Sequence, residues 1–228
     1  MLQISPTRRR LQSDDMSPHL KSQIGAVILA VGGSSRFGRP KQLILLRGKS
    51  LIRHIIDAAC EAGCSPVVIV VGSDEEKLHR ELDRACIVRV QNKQWQRGIG
   101  SSIRCGIRQL MKSAPDVEAS LLLVCDQPAV DARVIERLIA LRETTRKSII
   151  ASSYADTLGV PALFDRSFFP ELLSLNDKAG AKSIISRNRN RVEEFAFPQG
   201  EVDIDTSEDW EKLDRWSHPE RSEGSRLS

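Results

Sequence analysis

Short apolar runs alternate with amphipathic segments along most of this chain, and this alternation restricts its fold more than any other feature. Residues 24–31 (IGAVILAV) form a continuous apolar run, which is typical of a strand buried on both faces. Residues 51–59 then place apolar side chains at helical spacing, with Ser50 as a candidate N-cap. Further strands are predicted at 66–72, 86–90, 120–125, 148–153, 159–164 and 192–197, and further helices at 74–84, 101–112, 131–142, 166–175, 179–188 and 206–216. The alternation predicts an α/β fold, a single three-layer α/β/α domain with a mainly parallel central sheet.

The two ends of the chain differ in composition from the part between them. Residues 1–22 are polar with scattered charge, and residues 217–228 show no apolar period, so both are predicted to be disordered tails. No linker-like gap or internal repeat divides the rest. We therefore expect one domain over residues 23–216.

Composition and charge exclude several classes of protein. With 34 Lys and Arg against 30 Asp and Glu, the net charge is only +4, and aromatic residues make up 4%, so no nucleic-acid partner is expected. No apolar run approaches the roughly 18 residues of a membrane span. The five cysteines, an odd number without an export signal, indicate free thiols in a reducing cytoplasm.

Residues 29–41 (LAVGGSSRFGRPK) directly follow the first predicted strand and contain a candidate phosphate-binding loop. Its Gly and Ser residues can turn successive amide groups toward an anion, to which Arg36 and Lys41 add positive charge. The segment lacks the spacing of a dinucleotide fingerprint and the Gly-Lys-Ser/Thr ending of a P-loop. Pro40 predicts that Lys41 approaches from an extended loop. A glycine-rich surface turn remains the alternative.

Carboxylates follow two other predicted strands. Asp126 ends the apolar run 120–125 and is either a turn residue or a Mg²⁺ ligand, since this ion takes one or two carboxylates together with substrate phosphates. Asp203 and Asp205, two residues apart on a predicted extended segment, point to the same face. The alternative for this segment is a helix start capped by Thr206 and the acidic residue three positions later. Such capping would use neither Asp203 nor Asp205, so it does not explain why these two carboxylates are present.

These segments resemble one family in sequence order. The loop at 29–41 is similar to the pattern L-A-x-G-x-S-x-R-x-G-x-x-K of the molybdenum-cofactor cytidylyltransferase and guanylyltransferase group of nucleotidyltransferases. Further matches follow in the family's order: NKQWQRGIGSSIRCGI (92–107), CDQP (125–128), GVPALF (159–164) and DIDTSEDW (203–210). The resemblance implies the nucleoside-triphosphate transferase (GT-A-like) fold. It also implies an enzyme that transfers a nucleoside monophosphate, CMP favoured over GMP, from an NTP to the phosphate of a molybdopterin-type cofactor, with release of pyrophosphate.

The resemblance also implies roles for individual residues. Arg36, Lys41 and Asp126 would be catalytic, and Asp126 would hold Mg²⁺ together with Asp205 or Asp203. The nucleotide would contact Leu29, Ala30, Val31, Gly32, Gly33, Ser34, Arg36, Lys41, Asn92, Gly98, Ser101 and Ser102. The acceptor pocket would be bordered by Gly159, Pro161 and Lys182. Val31 stands where cytidylyl members usually have Ala and guanylyl members Gly, so the base stays open between CTP and GTP.

Three alternatives remain beside this interpretation. One keeps the reaction and changes the acceptor to another phosphorylated metabolite, such as a sugar phosphate. Another is that this protein is a chaperone that binds nucleotide or cofactor and catalyses no reaction. The protein partner that the resemblance implies is a molybdoenzyme or the maturation chaperone of that enzyme. An oxidoreductase is disfavoured because no dinucleotide fingerprint is present, although some proteins that resemble this family are described as redox enzymes.

Overall fold

The computed structural model of the protein describes residues 23–32, 40–73, 75–83 and 87–201. Within these ranges the strands are β1 (Ile24–Ala30), β2 (Leu45–Leu46), β3 (Lys49–Ser50), β4 (Val67–Val71), β5 (Ile87–Gln91), β6 (Ala119–Val124), β7 (Ile149–Tyr154), β8 (Thr157–Asp165) and β9 (Val192–Ala196). The α-helices are α1 (Leu51–Glu61), α2 (Glu75–Leu78), α3 (Ile99–Ser113), α4 (Ala132–Thr145), α5 (Phe169–Leu173) and α6 (Lys182–Arg187). Turns of 3₁₀ helix lie at Lys41–Leu43, Trp95–Arg97, Arg166–Phe168, Arg189–Arg191 and Pro198–Glu201.

Seven strands form the central sheet in the order β5-β4-β1-β6-β8-β7-β9. Strands β5, β4, β1 and β6 pair in parallel, and so do β7 and β9. Strand β8 runs antiparallel to both of its neighbours, β6 and β7. The mainly parallel sheet expected from the sequence is confirmed, and the carboxyl ends of β5, β4, β1 and β6 lie together along one edge.

Helices cover both faces of this sheet. Strand β1 divides its side chains between them: Ala26 and Ile28 pack with α1 and α4, whereas Val27 and Leu29 pack with α3, α5 and α6. Burial on both faces explains why β1 is apolar at every position. Helix α1 begins where expected, since the Ser50 side chain accepts a hydrogen bond from the amide of Arg53. The three-layer prediction is therefore correct.

Three predicted helices are shorter than expected. Of the helix predicted at 74–84, residues 75–78 form one helical turn, α2, followed by hydrogen-bonded turns, and the side chains of Leu78 and Leu82 are buried. The segment 166–175 begins with a 3₁₀ turn, because Pro170 stands in the first turn of α5 and favours a helix start there. The segment 179–188 becomes helical only at Lys182, since the residues before it form a turn that packs against α3.

Some predictions concern residues outside the described ranges: the tails at 1–22 and 217–228, the helix at 206–216, and the end of the predicted domain. The small hairpin β2–β3 was not predicted from the sequence. No helix in the described ranges is long and apolar enough to cross a membrane.

Candidate active site

The predicted site segments converge at the carboxyl edge of the sheet. Val31 and Gly32 follow β1, Asn92 follows β5, and Asp126 lies two residues beyond the last residue of β6. Strands β1 and β6 are direct neighbours, with Leu29 aligned to Val124. Gly33, Ser34 and Arg36 of the loop, and Asp203 and Asp205 of the later segment, lie outside the described residues.

Lys41 and Asp126 form an ion pair at this edge. Lys41 Nζ lies 2.5 Å from Asp126 Oδ2, and each side chain is 21% exposed. Lys41 begins a 3₁₀ turn, whereas the sequence predicted that it lies on an extended loop. The prediction was wrong because the φ angle that the ring of Pro40 requires is also compatible with the residue that precedes a 3₁₀ turn. The next residue, Gln42, is buried and donates from Nε2 to the carbonyl of Ala30 at 3.2 Å. This bond holds the turn against the end of β1 and directs Lys41 toward Asp126.

The same edge offers one described carboxylate to a metal ion. Lys41 uses one oxygen of Asp126, and the carboxylate is partly exposed. Within the described ranges no three His, Cys, Asp or Glu residues are grouped closely enough to hold a metal. A divalent ion at Asp126 therefore needs ligands from elsewhere, from bound phosphate oxygens or from the segment that contains Asp203 and Asp205.

Gln127 connects the end of β6 to that later segment. Its side chain is buried, and Nε2 lies 3.1 Å from the carbonyl oxygens of both Val160 and Gly200. The chain at Gly200 is thereby held beside the residue that follows Asp126. Three further residues lead to Asp203, and three residues span at most about 11 Å. Chain length therefore limits Asp203 to within about 11 Å of Gly200.

Asn92, Ser101 and Ser102 bind one another. Asn92 Nδ2 lies 2.9 Å from the hydroxyl oxygens of both serines, and Asn92 Oδ1 accepts from the amide of Gln94. The Ser101 hydroxyl donates to the carbonyl of Gly98 at 2.8 Å. All three side chains are buried. Their hydrogen bonds hold the 92–98 loop against the first turn of α3. Their contact with a nucleotide stays a prediction.

Two glycines at the start of α3 let a second loop approach closely. Gly98 has φ +133°, and a Cβ there would lie 2.4 Å from the carbonyl oxygen of Asp177. At Gly100 a Cβ would lie 2.0 Å from the carbonyl oxygen of Asn176, and the Gly100 amide donates to the Asp177 carbonyl at 2.8 Å. The loop at 175–181, which precedes the predicted acceptor residue Lys182, is therefore packed on α3.

Ionic contacts reinforce this packing. Asp177 accepts from Arg104 through Oδ1 and from Arg97 Nε through Oδ2 at 2.7 Å, and Arg104 also donates to the carbonyl of Leu175. The hydrogen bond from Arg104, together with the charge of Arg97, holds the pKa of Asp177 below its ordinary value. The contact among these three residues was not predicted from the sequence, because Asp177 is 80 and 73 positions from its partners. Lys182 is exposed at the start of α6.

The other predicted acceptor residues lie on β8 beside Gln127. A Cβ at Gly159 would lie 2.5 Å from the hydroxyl of Tyr154, which itself donates to the Val160 carbonyl at 3.0 Å. Pro161 is buried, and its carbonyl accepts from the Ser152 hydroxyl at 2.7 Å. The register of β7 against β8 shifts here, which leaves Val160 and Pro161 bulged. The bulge places this part of β8 next to the end of β6.

Two described cysteines near the site have thiols whose pKa is raised. Burial, with the neighbouring charge of Asp126, raises the pKa of Cys125 far above its ordinary value. Burial also raises the pKa of the half-buried Cys105 on α3. Both thiols stay protonated at neutral pH and serve packing, as expected from the sequence.

Two cavities lie away from Lys41 and Asp126. One of about 1080 Å³ is at the opposite, amino edge of the sheet, where Ile24, Glu118 and Ser148 line it. Another of about 560 Å³ lies between the β2–β3 hairpin, α1 and the segment 128–134. Neither includes the ion pair among its described lining residues. The candidate site is therefore identified by the Lys41–Asp126 ion pair and not by the volume of a cavity.

Comparison with known proteins agrees with this geometry. A family model described as "MobA-like NTP transferase domain" matches residues 26–192. The chain belongs to this family. The nucleotidyltransferase fold and enzyme class expected from the motifs are thereby confirmed, and the matched residues include most of β1 together with Lys41 and Asp126.

Individual relatives of this MobA-like chain cover different shares of it. "Bifunctional protein GlmU" of Sorangium cellulosum is 35% identical over 120 residues, 50% of this chain and 25% of that protein. The chain thus spans about a quarter of the length of that relative. "Nicotine blue oxidoreductase" of Paenarthrobacter nicotinovorans is 29% identical over 166 residues, 70% of this chain and 79% of that protein.

The crystal structure of Rv0371c from Mycobacterium tuberculosis H37Rv is similar over nearly its whole length. It is 29% identical with a TM-score of 0.70, over 85% of this chain and 98% of that one. A second crystal structure of Rv0371c is a complex with manganese, 27% identical with a TM-score of 0.66 over 84% and 97% of the two chains. A structural relative of this MobA-like protein thus forms a complex with manganese.

Proposed function

We propose that this protein is a Mg²⁺-dependent nucleotidyltransferase that transfers a nucleoside monophosphate from an NTP to the phosphate of a molybdopterin-type cofactor in the cytoplasm. The observation that carries the proposal is the Lys41–Asp126 ion pair at the carboxyl edge of β1 and β6. In open parallel sheets this edge is where ligands bind. A cation and a metal-binding carboxylate side by side suit a substrate that is itself a chelate of metal and phosphate.

The reaction joins two anions. An oxygen of the acceptor phosphate attacks the α-phosphorus in line, the new O–P bond forms, and the bond to the bridging oxygen breaks. Pyrophosphate leaves with that electron pair. Because the attacking phosphate is already ionised at neutral pH, no general base is needed, and neutralisation and positioning account for catalysis. His54 donates from Nε2 to the Leu46 carbonyl at 2.7 Å, away from the ion pair.

Each described residue has a definite part in this scheme. Lys41 binds phosphate oxygens and stabilises the charge of the departing pyrophosphate, a role it would share with Arg36. Gln42 holds the turn of Lys41 on β1. Asp126, with Asp205 or Asp203, would hold Mg²⁺, which when bound supplies positive charge to the phosphate oxygens. Asp126 already binds one cation, the ammonium group of Lys41. This contact supports the fit of a cation at the Asp126 carboxylate.

The acceptor and the base rest on the motif resemblance. CTP is favoured over GTP, with Val31 at the position where the two subgroups differ, and Gly159, Pro161 and Lys182 would face the acceptor. A molybdoenzyme or its maturation chaperone would then receive the product. A screen of the four NTPs against molybdopterin and several sugar phosphates, with pyrophosphate release as readout, separates this acceptor from a sugar phosphate.

The catalytic assignment is tested by Lys41→Ala and Asp126→Ala. Removing one preorganised charge from such a site costs about 10²–10³ in rate, or roughly 3–4 kcal/mol. We therefore expect each variant to lose at least 100-fold in pyrophosphate release while its melting curve stays cooperative. Lys49→Ala is the matched control, because Lys49 forms a 2.8 Å ion pair with Asp57 outside the site. Near wild-type turnover in either site variant would show that its assigned role is wrong.

An oxidoreductase is the second candidate, suggested by the name of the Paenarthrobacter relative. An NADPH titration followed by fluorescence separates it from the transferase. The proposed function predicts NTP-dependent pyrophosphate release and no saturable NADPH binding. Tight nucleotide binding without pyrophosphate release would instead favour a chaperone that performs no chemistry.

A further inference from the structure

We infer that the cavity of about 560 Å³ between the β2–β3 hairpin, α1 and the segment 128–134 binds the C-terminal segment of the same chain, with the helix predicted at 206–216 as its occupant. We call this cavity the hairpin groove. Its volume lies in the range of roughly 300–1,000 Å³ that is typical of binding pockets. The inference goes beyond the proposed function, because it assigns a surface that the transfer reaction does not require.

The hairpin groove has an apolar lining. Leu46, Val130 and Phe197 form part of its wall and are themselves buried. Four further lining residues are apolar and only half-buried, namely Pro128, Ala129, Ala132 and Val134. Apolar surface in a concave site is stabilised when apolar side chains of a partner displace the water that covers it. The groove therefore suits an occupant with large apolar side chains.

The rim of the hairpin groove is positively charged. The described lining contains four Lys and Arg residues against three Asp and Glu residues. Two of these carboxylates are already engaged, Asp57 with a lysine and Asp131 with the amide of Val134 at the start of α4. Arg47 and Arg133 are exposed, and neither forms an ion pair within the part of the chain that the structure describes. The rim thus favours an acidic occupant.

The chain leaves the described residues beside this groove. Phe197 and Gln199 line the groove, and the carbonyl of Gly200 accepts from Gln127 Nε2 at 3.1 Å. Glu201 is the last described residue. Five residues lead from there to Thr206, and five residues span at most about 18 Å. The predicted helix therefore begins close to the groove.

The segment at 206–216 (TSEDWEKLDRW) has the complementary chemistry. Trp210, Leu213 and Trp216 recur at every third position, which places neighbouring members of the series on the same side of a helix. Two of the three tryptophans of the chain are among them, and four carboxylates stand against two basic residues. A helix of this length is marginally stable in isolation, so it requires a surface to pack on. The hairpin groove offers that surface with the matching charge.

The test is limited proteolysis of the full-length protein with trypsin, followed by mass spectrometry. Lys212 and Arg215 are cleavage sites inside the predicted helix, and Arg221 is an internal reference beyond it. We expect R133E, which reverses a charge on the rim, and A132W, which fills the groove, to be cleaved faster at both helix sites than wild type. The gain should be about tenfold or more, because cleavage tracks the population of the undocked form.

A matched control comes from the opposite edge of the sheet. Arg146 is exposed and lines the amino-edge cavity, so R146E makes the same change in net charge away from the hairpin groove. We expect R146E to be cleaved at the helix sites at the wild-type rate. Cleavage after Arg221 should be equal in all the proteins. Thermal melting of each variant confirms that folded proteins are compared.

Two results overturn the inference directly: helix sites that are cleaved in wild type as fast as in R133E and A132W, or an equal gain in R146E. Wild-type protection that disappears on dilution also overturns it, because the helix would then occupy the groove of a second copy of the chain. Protection that is independent of concentration and lost in both groove variants supports it. Pyrophosphate release tests the proposed function separately, since no step of this assay uses nucleotide.

Discussion

Asp177 shows how one side chain connects two loops at the carboxyl edge. Its carboxylate binds Arg97 from the 92–98 loop and Arg104 from α3, while the backbone carbonyl of the same residue accepts from Gly100. The loop that leads to Lys182 is thereby tied to the loop that leads into α3. We therefore expect a substitution of Asp177 to weaken the packing of the 175–181 loop on both the 92–98 loop and α3.

Asp177→Asn tests this link through its pH dependence. Because the folded-state pKa of Asp177 is lowered, its contribution to stability is fully present above the ordinary carboxyl pKa of about 4 and is lost as pH falls through the lowered value. We expect the variant to melt below wild type at pH 7 and the two melting temperatures to converge in acid. A difference between them that stays constant from pH 7 to pH 2.5 would contradict the ionic link.

At the scale of single residues, two positions that short motifs mark in the sequence come together in the structure. Lys41 closes the glycine-rich segment and Asp126 ends a buried strand, and the two were predicted to meet. Asp177 with its arginines could not be found in this way. No local pattern marks an ion pair whose members come from distant segments, because only packing decides which loops meet.

At the scale of elements, α3 depends on its first turn. The glycine at position 100 admits the backbone of the 175–181 loop, and Gly106 lets the helix approach the sheet so closely that a Cβ there would lie 2.4 Å from Val27 Cγ1. This helix therefore fixes the distance between the 175–181 loop and the sheet.

Gly100→Ala and Gly32→Ala form a contrasting pair. A Cβ at Gly100 would overlap the Asn176 carbonyl oxygen, so we expect Gly100→Ala to cost more than about 2 kcal/mol in the free energy of unfolding. At Gly32 the nearest described atom is 3.9 Å away, so the fold should tolerate the methyl group. We expect Gly32→Ala to keep wild-type stability in urea denaturation and to raise the KM for NTP, because the nucleotide would approach the backbone there. If Gly32→Ala leaves this KM unchanged, Gly32 does not contact the nucleotide.

The elements predicted best are those with strong burial. Strands β1, β4 and β6 appear within about one residue of their predicted bounds, because central strands buried on both faces give unbroken apolar runs. Helix α2 was predicted too long, and the two-residue strands β2 and β3 were not predicted. Such short elements bury too little apolar surface to leave a periodic pattern.

At the scale of the whole molecule, the sheet separates two edges with different chemistry. The carboxyl edge brings together the motif residues. The amino edge holds the cavity of about 1080 Å³, in which ion pairs and polar contacts such as Arg142 with Asp165 and Lys147 with the Asn190 carbonyl join neighbouring elements. The described contacts around this cavity thus join elements of the fold.

Lys147→Ala tests this division of roles. The side chain lines the amino-edge cavity and donates to the Asn190 carbonyl at 3.0 Å, and exposed substitutions of this kind usually change stability by less than about 0.5 kcal/mol. We expect pyrophosphate release within about twofold of wild type. A tenfold loss of turnover in this variant would show that the amino edge takes part in the reaction.

The sequence by itself determined the α/β layers and the family, because apolar periodicity and short motifs are local properties of the chain. Tertiary structure alone decided that Lys41 contacts Asp126 directly and that Asp177 joins two loops. These are contacts between segments that lie far apart in the chain. Only the register of the sheet and the packing of helices on it bring such segments within hydrogen-bonding distance.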